Sequence, residues 1–415
     1  MTEESASGLR FILRALRYRN YRLFFVGQSI SLTGSWMQMI AVSWLAYRLT
    51  NSAFLLGSIA FLSQFPMLLV TPFAGVLADR WNRKNILVIT QTLAMIQALV
   101  LAVLAFTGAV TVWHLAILSL FIGLVNSFDA PVRQTFVIDM VEDKKDLSNA
   151  IALNSFIFNS ARLIGSALGG LLIAAIGEAM CFLLNSVSFL AVIAALLSMR
   201  IRPAIPESGN HFLTDLKEGF AYAFRIAPIR SILSLVALMS VAGMPYVVIM
   251  PIFAKDILKG GADTLGFLMG ATGLGALGGA VYLASKKNIR GLERTISVAA
   301  VIFGAGLVFF SFSRVLWLSL FLILCVGFGI MVQIVSCNTL LQNLTDDDKR
   351  GRVMSLYAIA FMGMAPFGSL LAGSLAEKIG APHTMLISGL VSVLGSLLFS
   401  RMITLPGKQV VRPIY

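Results

Sequence analysis

Charge is scarce in this sequence. Asp, Glu, Lys and Arg make up only 12% of its 415 residues, and it holds three cysteines and three histidines. Each shortage excludes something. Three cysteines give no disulfide framework and no metal-ligand spacing: Cys325 and Cys337 fall on one predicted helix about 18 Å apart at about 1.5 Å per residue, beyond bonding reach. No H-E-x-x-H helix, nucleophile elbow or catalytic cluster occurs, so an enzyme, a metal site and a cofactor are not expected. His114 is placed near an external helix end, His211 in the central hydrophilic joint and His383 at the start of the last span, which suits none of them to carry protons through the chain. The 19 acidic residues leave no carboxylate at a predicted midplane. Asp129 comes nearest, and is assigned to the inner end of its span.

What the chain has instead is apolar length. Hydrophobic residues form 58% of it, enough for about twelve spans of about twenty residues across a hydrocarbon layer about 30 Å thick. Apolar runs lie near 21–46, 53–77, 86–108, 112–131, 149–174, 179–199, 229–254, 263–285, 293–311, 315–338, 353–377 and 382–403. Each is expected to be a helix, because a backbone in lipid must satisfy its own hydrogen bonds. The first run is too long and too polar at its centre for a signal-peptide core, and is expected to stay in the mature protein.

Basic residues set the expected orientation. With the N-terminus inside, the cytoplasmic segments hold 26 of the 32 Lys and Arg, whereas the external joints hold five: Arg48, Lys255, Lys259, Arg314 and Lys378. That asymmetry places both termini in the cytoplasm. The net charge of +13 does not indicate a nucleic-acid partner, since the basic residues are dispersed among short joints. The longest joint divides the chain into a six-helix bundle over 1–199, a cytoplasmic linker over 200–228 and a second bundle over 229–415. Within the linker, "LTDLKEGFAYAF" alternates apolar and charged residues at helical spacing and predicts a short amphipathic helix on the membrane surface.

The two halves are copies of one pattern. "GSALGGLLIAAIG" at 165–177 matches "GSLLAGSLAEKIG" at 368–380 in seven of thirteen positions, at an offset of 203. The same offset places Gly75 on Gly278, Arg83 on Lys286 and Asn85 on Asn288. Twofold repeats of six helices suit a transporter that rocks one half against the other around a central site.

One basic residue lies inside a span. Arg162 sits near the bilayer centre, where a charge faces a cavity or a partner. Ser155, Asn159, Arg162, Ser166 and Gly169 share one helical face. The first span carries a stripe of Gln28, Ser31, Ser35 and Gln38, and the tenth offers Gln333, Ser336 and Asn338. Together these outline a wet central cavity that accepts a polar or anionic group through Arg162. The competing reading makes Arg162 a brace between helices, held by backbone carbonyls or a neighbouring Asn. "GLGALG" at 273–278 fits G-x-G-x-x-G formally, but no strand precedes it, so it is assigned to helix packing.

"GVLADRWNRKN", residues 75–85, gathers four charged side chains between two apolar runs. It resembles the signature loop of the major facilitator superfamily, G-x-L-x-D-R-x-x-R-K, at the junction of the second and third spans. "SWMQMIAVSWLAYRLTNSA", "DAPVRQTFVIDMV", "ALNSFIFNSARLIGSALGG" and "DDDKRGRVMSLYAIAFMG" are similar to its branch of drug and siderophore exporters, which includes enterobactin and macrolide exporters. The resemblance implies a monomeric transporter of the bacterial cytoplasmic (inner) membrane, the major facilitator fold, and proton antiport. It also implies an ionic latch. Asp79 would meet the positive N-terminal end of the eleventh helix near Gly351, and Arg80 and Arg83 would pair with a carboxylate, for which Asp129 is the candidate. Lys84 and Arg133 belong to the same charged cluster, and Gly75 permits close helix approach. "GSALGG" is similar to the G-P-x-x-G-G element of antiporters, with Ser166 in place of proline. Gly165, Gly169 and Gly170 are expected to pack against the eighth helix, whose Gly273, Gly275 and Gly278 are equally small.

The expected function is export of amphipathic small molecules, drugs, siderophores or metabolites, by alternating access, with protons as the coupling partner and the lipid bilayer as solvent. Uptake or facilitated diffusion of an anionic metabolite stays open, as does a lipid-handling or sensory protein that transports nothing.

Overall fold

The computed structural model describes residues 13–200, 220–286, 291–346 and 349–403, with backbone alone over 72–80 and at 144. Twelve long helices and no strand occur among the described residues: α1 (Arg19–Thr50), α2 (Ala53–Arg80), α3 (Arg83–Phe106), α4 (Val112–Met140), α5 (Leu147–Ile176), α6 (Glu178–Ser198), α7 (Ala227–Ile257), α8 (Ala262–Ser285), α9 (Leu292–Phe312), α10 (Leu316–Leu344), α11 (Arg350–Ile379) and α12 (Ala381–Ile403). Of the amphipathic linker helix, residues 213–219 lie outside the described residues, while 220–225 is helical.

Eleven of these helices, α2 to α12, are long and apolar enough to cross a membrane. α1 is not among them, although it is 32 residues long. Gln28, Ser31 and Gln38 dilute its apolar character, and all three are buried. A helix can carry that polarity where other helices rather than lipid surround it.

Several helices outrun the apolar runs that announce them. α4 continues nine residues past the expected end at 131, to Met140. Val132, Phe136, Val137 and Met140 are all buried at spacings of four, five and eight, so an amphipathic extension packs on the bundle where a hydropathy count sees a polar joint. Proline interrupts other helices without ending them. α7 takes a π turn over Met239–Gly243 shortly before Pro245, and α11 takes one over Ile359–Gly363 shortly before Pro366. Pro lacks the N–H that the ladder requires, and a widened turn redistributes the freed carbonyls.

The chain forms two compact units, Met1–Leu49 with Pro66–Ser208, and Thr50–Phe65 with Gly209–Tyr415. In the first, Tyr21, Phe24, Leu87, Val132, Phe136 and Val192 belong to one buried cluster. A 3-10 turn, Arg14–Arg17, is tied to this bundle next to the start of α1. The Asp146 carboxylate forms ion pairs with Arg14 Nε at 2.8 Å and an Arg17 guanidinium nitrogen at 2.7 Å, and accepts a hydrogen bond from the Tyr18 hydroxyl at 2.9 Å. The hydrogen bond to Tyr18, and then the charge of Asp146, hold the Arg17 pKa above its ordinary value.

In the second unit α9 packs on both α10 and α12. A Cβ on Gly304 would lie 2.7 Å from the carbonyl of Gly389, and one on Gly389 would lie 2.6 Å from that of Gly304. Phe253 and Phe310 meet at 4.6 Å between ring centroids. The first part of α2 belongs to this unit. Gly57 lies against Gly373 of α11, Phe61 and Phe65 contact Phe367, and Glu377 accepts from the Ser52 hydroxyl and the Phe54 N–H at 3.1 Å each.

Candidate functional site

The stripe on α1 is committed to the interior of its own unit. Gln38 donates to Gln97 Oε1 at 2.9 Å and accepts from Asn185 Nδ2 at 2.7 Å, while Gln97 reaches the carbonyl of Leu118 at 3.3 Å. Ser188 donates to Asn185 Oδ1 at 3.0 Å. Ser31 and Gln91 meet at 3.5 Å, and Ser35 returns its hydroxyl to the carbonyl of Ser31 at 2.9 Å. Ser31 and Gln38, expected as walls of a central cavity, form a buried polar seam joining α1, α3 and α6, and Gln28 is buried on the same helix. Buried amides must find partners, and here the nearest partners are other amides. Gly34 makes room for them, since a Cβ there would lie 2.5 Å from Asn185 Oδ1 and closer still to the Ser188 hydroxyl.

Asp129 is the second correction. It does not stand at a helix end but eleven residues short of the end of α4, and it is 3% exposed. One carboxylate oxygen accepts from Gln91 at 2.7 Å and Thr90 at 2.9 Å, and the other faces Arg133 Nε at 3.4 Å. Arg83 does not reach it. One guanidinium nitrogen of Arg83 contacts both oxygens of Asp139, at 3.1 Å each, and ties the start of α3 to the extended end of α4. The extension explains the exchange of partners, because it carries Asp139 in register with Arg83. Lys84 donates to the carbonyls of Met199 at 2.9 Å and Leu197 at 3.3 Å, at the negative end of α6. The side chains of Gly75, Asp79 and Arg80, the centre of the expected latch, lie outside the described residues.

Arg162 is the sixteenth of the thirty residues of α5. Its guanidinium donates to Asn159 Oδ1 at 3.2 Å, and its carbon lies 6.0 Å from the ring centre of Trp36. Trp36 meets Phe158 edge to face at 5.6 Å. Ser166 is fully buried and its hydroxyl finds no hydrogen-bond partner among the described residues. Ser155 is exposed and bonded to its own helix at 3.1 Å. The structure thus brings Asn159, Arg162 and the two aromatic rings together as a half-buried cationic and aromatic group. Periodicity found Arg162 and Asn159 and missed Trp36 and Phe158; the available signal was a tryptophan amid the polar residues of the first span.

The glycines mark close helix contacts within each unit. A Cβ on Gly165 would meet Trp36 Cβ at 2.8 Å, and one on Gly169 would meet Met37 Cα at 3.1 Å, so this element packs on α1. Gly170 is buried on the same helix. α8 uses its own glycines against α10: Gly275 faces Leu324 and Phe328, Gly279 faces Phe328 and Val332, Gly278 only touches the Phe328 ring at 3.9 Å, and Gly273 is buried.

In the second unit Gln333 and Ser336 are each 1% exposed. Asn338 accepts from Gln342 at 2.6 Å within its own helix.

A family model described as "Transmembrane secretion effector" matches residues 12–411. The staphyloferrin A transporter of Staphylococcus aureus (strain NCTC 8325 / PS 47) is 24% identical over 380 residues, covering 91% of this chain and 95% of that protein. Macrolide efflux protein A of Streptococcus pyogenes is 24% identical over 393 residues, covering 90% and 94%. The enterobactin exporter EntS of Shigella boydii serotype 4 (strain Sb227) is 25% identical over 387 residues, covering 93% and 91%. Among solved structures, the nucleoside transporter NupG superposes with a TM-score of 0.71 at 14% identity, over 94% of this chain and 100% of that one. A bacterial homologue of the iron transporter ferroportin gives 0.67 at 16% identity, over 93% and 98%.

Proposed function

The chain belongs to the transmembrane secretion effector family of the major facilitator superfamily, and on that premise we propose that it exports an amphipathic small molecule from the cytoplasm by alternating access, in exchange for protons. It is a membrane transporter and not an enzyme. Export rests on relatives named for efflux of a macrolide and export of enterobactin. The observation that carries the coupling is Asp129, a carboxylate buried in mid-helix and held by Thr90, Gln91 and Arg133. A proton arriving there removes the charge that Arg133 faces and weakens the tie within α4, whereas its departure restores both. The Arg162 and Trp36 pair offers a solute both a guanidinium and an aromatic edge. Both termini face the cytoplasm in this reading, as the distribution of basic residues requires, and the protein works as a monomer.

Reconstituted vesicles carrying a macrolide, staphyloferrin A or enterobactin test it. Efflux that follows an imposed pH gradient, and loses that dependence in Asp129→Asn while solute exchange without a gradient continues, is the expected result. Wild-type flux indifferent to the gradient would remove the proton from the mechanism. Net inward movement anchored by Arg162 would instead favour uptake of an anionic metabolite.

A further inference from the structure

The second unit contains a nearly closed cavity of about 10 Å³ lined by α7, α10 and α11, with Met239, Ser240, Gln333, Cys337 and Phe361 among its walls. Gln333 Oε1 is buried and meets no hydrogen-bond donor among the described residues, and the same holds for the Ser336 hydroxyl one turn further along α10. On the wall itself the Ser240 hydroxyl already donates to the carbonyl of Phe361, bridging the π turns of α7 and α11. A buried amide oxygen left without a donor is costly, so a wall built around one points to an occupant that donates to it.

The place in the fold says why the gap exists. α4 and α10 are both 29 residues long, and Asp129 and Gln333 are each the eighteenth residue of their helix, with Arg133 and Cys337 four residues on. Thr90 and Gln91, which satisfy Asp129, are the eighth and ninth residues of α3; Ala299 and Ala300 hold those places in α9. At matching depths in their helices, the second unit thus carries an amide where the first carries the acid, a thiol where it carries the arginine, and methyl groups where it carries the two donors. The charge has gone from this site, and so have the side chains that would fill its hydrogen bonds.

We propose that this cavity is a binding site for one neutral O–H donor, which donates to Gln333 Oε1. The lining restricts the class. No acidic or basic side chain is among the wall residues, so an ammonium would be buried without a counter-charge at a prohibitive penalty. A volume of about 10 Å³ holds one water-sized group and no more. The donor is a solvent water or the hydroxyl of a solute that displaces it.

Radiolytic footprinting of the full-length protein in lipid nanodiscs tests the site, because buried sulfur beside an ordered water oxidises while buried sulfur in a dry core does not. Met239 on the wall and Met250 away from it belong to the same helix and are 3% and 0% exposed. The expected result is several-fold faster oxidation of Met239, falling to the Met250 rate in Gln333→Met. Equal rates in the wild type would overturn the proposal without recourse to any variant, and so would fast oxidation that persists in Gln333→Met. Adding 1-octanol or octyl methyl ether separates the sources. Suppression of Met239 oxidation by octanol alone identifies a displacing hydroxyl, and indifference to both leaves water as the donor. Equal suppression by both would show that apolar contact selects the occupant, and would sink the assignment. None of these readouts depends on transport.

Discussion

Gly34 shows how much one missing methyl group decides. Alanine there would drive its Cβ into Asn185 and Ser188 and split the amide ladder through Gln38. Gly34→Ala should lower stability by roughly 1–3 kcal/mol, the range for overpacking a close-fitted interior, seen as an earlier thermal unfolding midpoint in detergent. Gly108 supplies the comparison: nothing lies within 4 Å of its Cβ position, but its φ is +68°, so Gly108→Ala should cost only about 1–2 kcal/mol, through backbone strain alone. Arg162 is a different kind of residue, defined by the shape of its charge. Arg162→Lys keeps the cation and loses the planar group facing Trp36, and should weaken solute binding by about 1 kcal/mol, roughly fivefold in Kd. Isothermal titration with the best-transported solute checks this; undiminished affinity would return Arg162 to the role of a helix brace.

At the scale of the element, the repeat visible in the sequence reappears as packing. Gly165 of α5 lies on α1, the first helix of its bundle, and Gly368 of α11, its partner at an offset of 203, lies on α7 with its Cβ position 2.5 Å from the carbonyl of Val241 and 2.7 Å from Pro245. Two sites so related should respond alike. Gly165→Ala and Gly368→Ala are each expected to destabilise by roughly 1–3 kcal/mol, measured by thermal unfolding of the purified protein, and a large loss in one with none in the other would break the equivalence. Element boundaries were less legible than element identities. Hydropathy ended the fourth helix near 131, but Val132, Phe136, Val137 and Met140 continue it to 140 on a buried face. That extension moves Asp129 from a helix end into the interior and gives Arg83 a different carboxylate.

For the whole molecule, the distribution of Lys and Arg predicts an orientation that reporters can read. Alkaline phosphatase, active only outside the cytoplasm, should be active when fused after Gly108 and inactive when fused after Lys286. The reverse pattern would overturn the assigned topology. The two compact units divide α2 between them: residues to Phe65 belong with the second unit and those from Pro66 with the first. No apolar run announces that division, because a span of uniform hydropathy carries no mark of which neighbour each of its turns will meet.

Composition, the spacing of apolar runs and the repeat determined by themselves that this chain is a helical membrane protein with twelve long helices in two related halves. Those properties follow from how a segment partitions into lipid, which depends on the segment's own residues. Only the tertiary structure decided that Gln38 faces Gln97 and Asn185, that Asp129 is held by Thr90, Gln91 and Arg133, and that Gly165 meets α1. Helical periodicity places such residues on one face of a helix, but the partner on that face comes from elsewhere in the chain, and a hydrogen bond depends on that partner's atoms as much as on the residue's own.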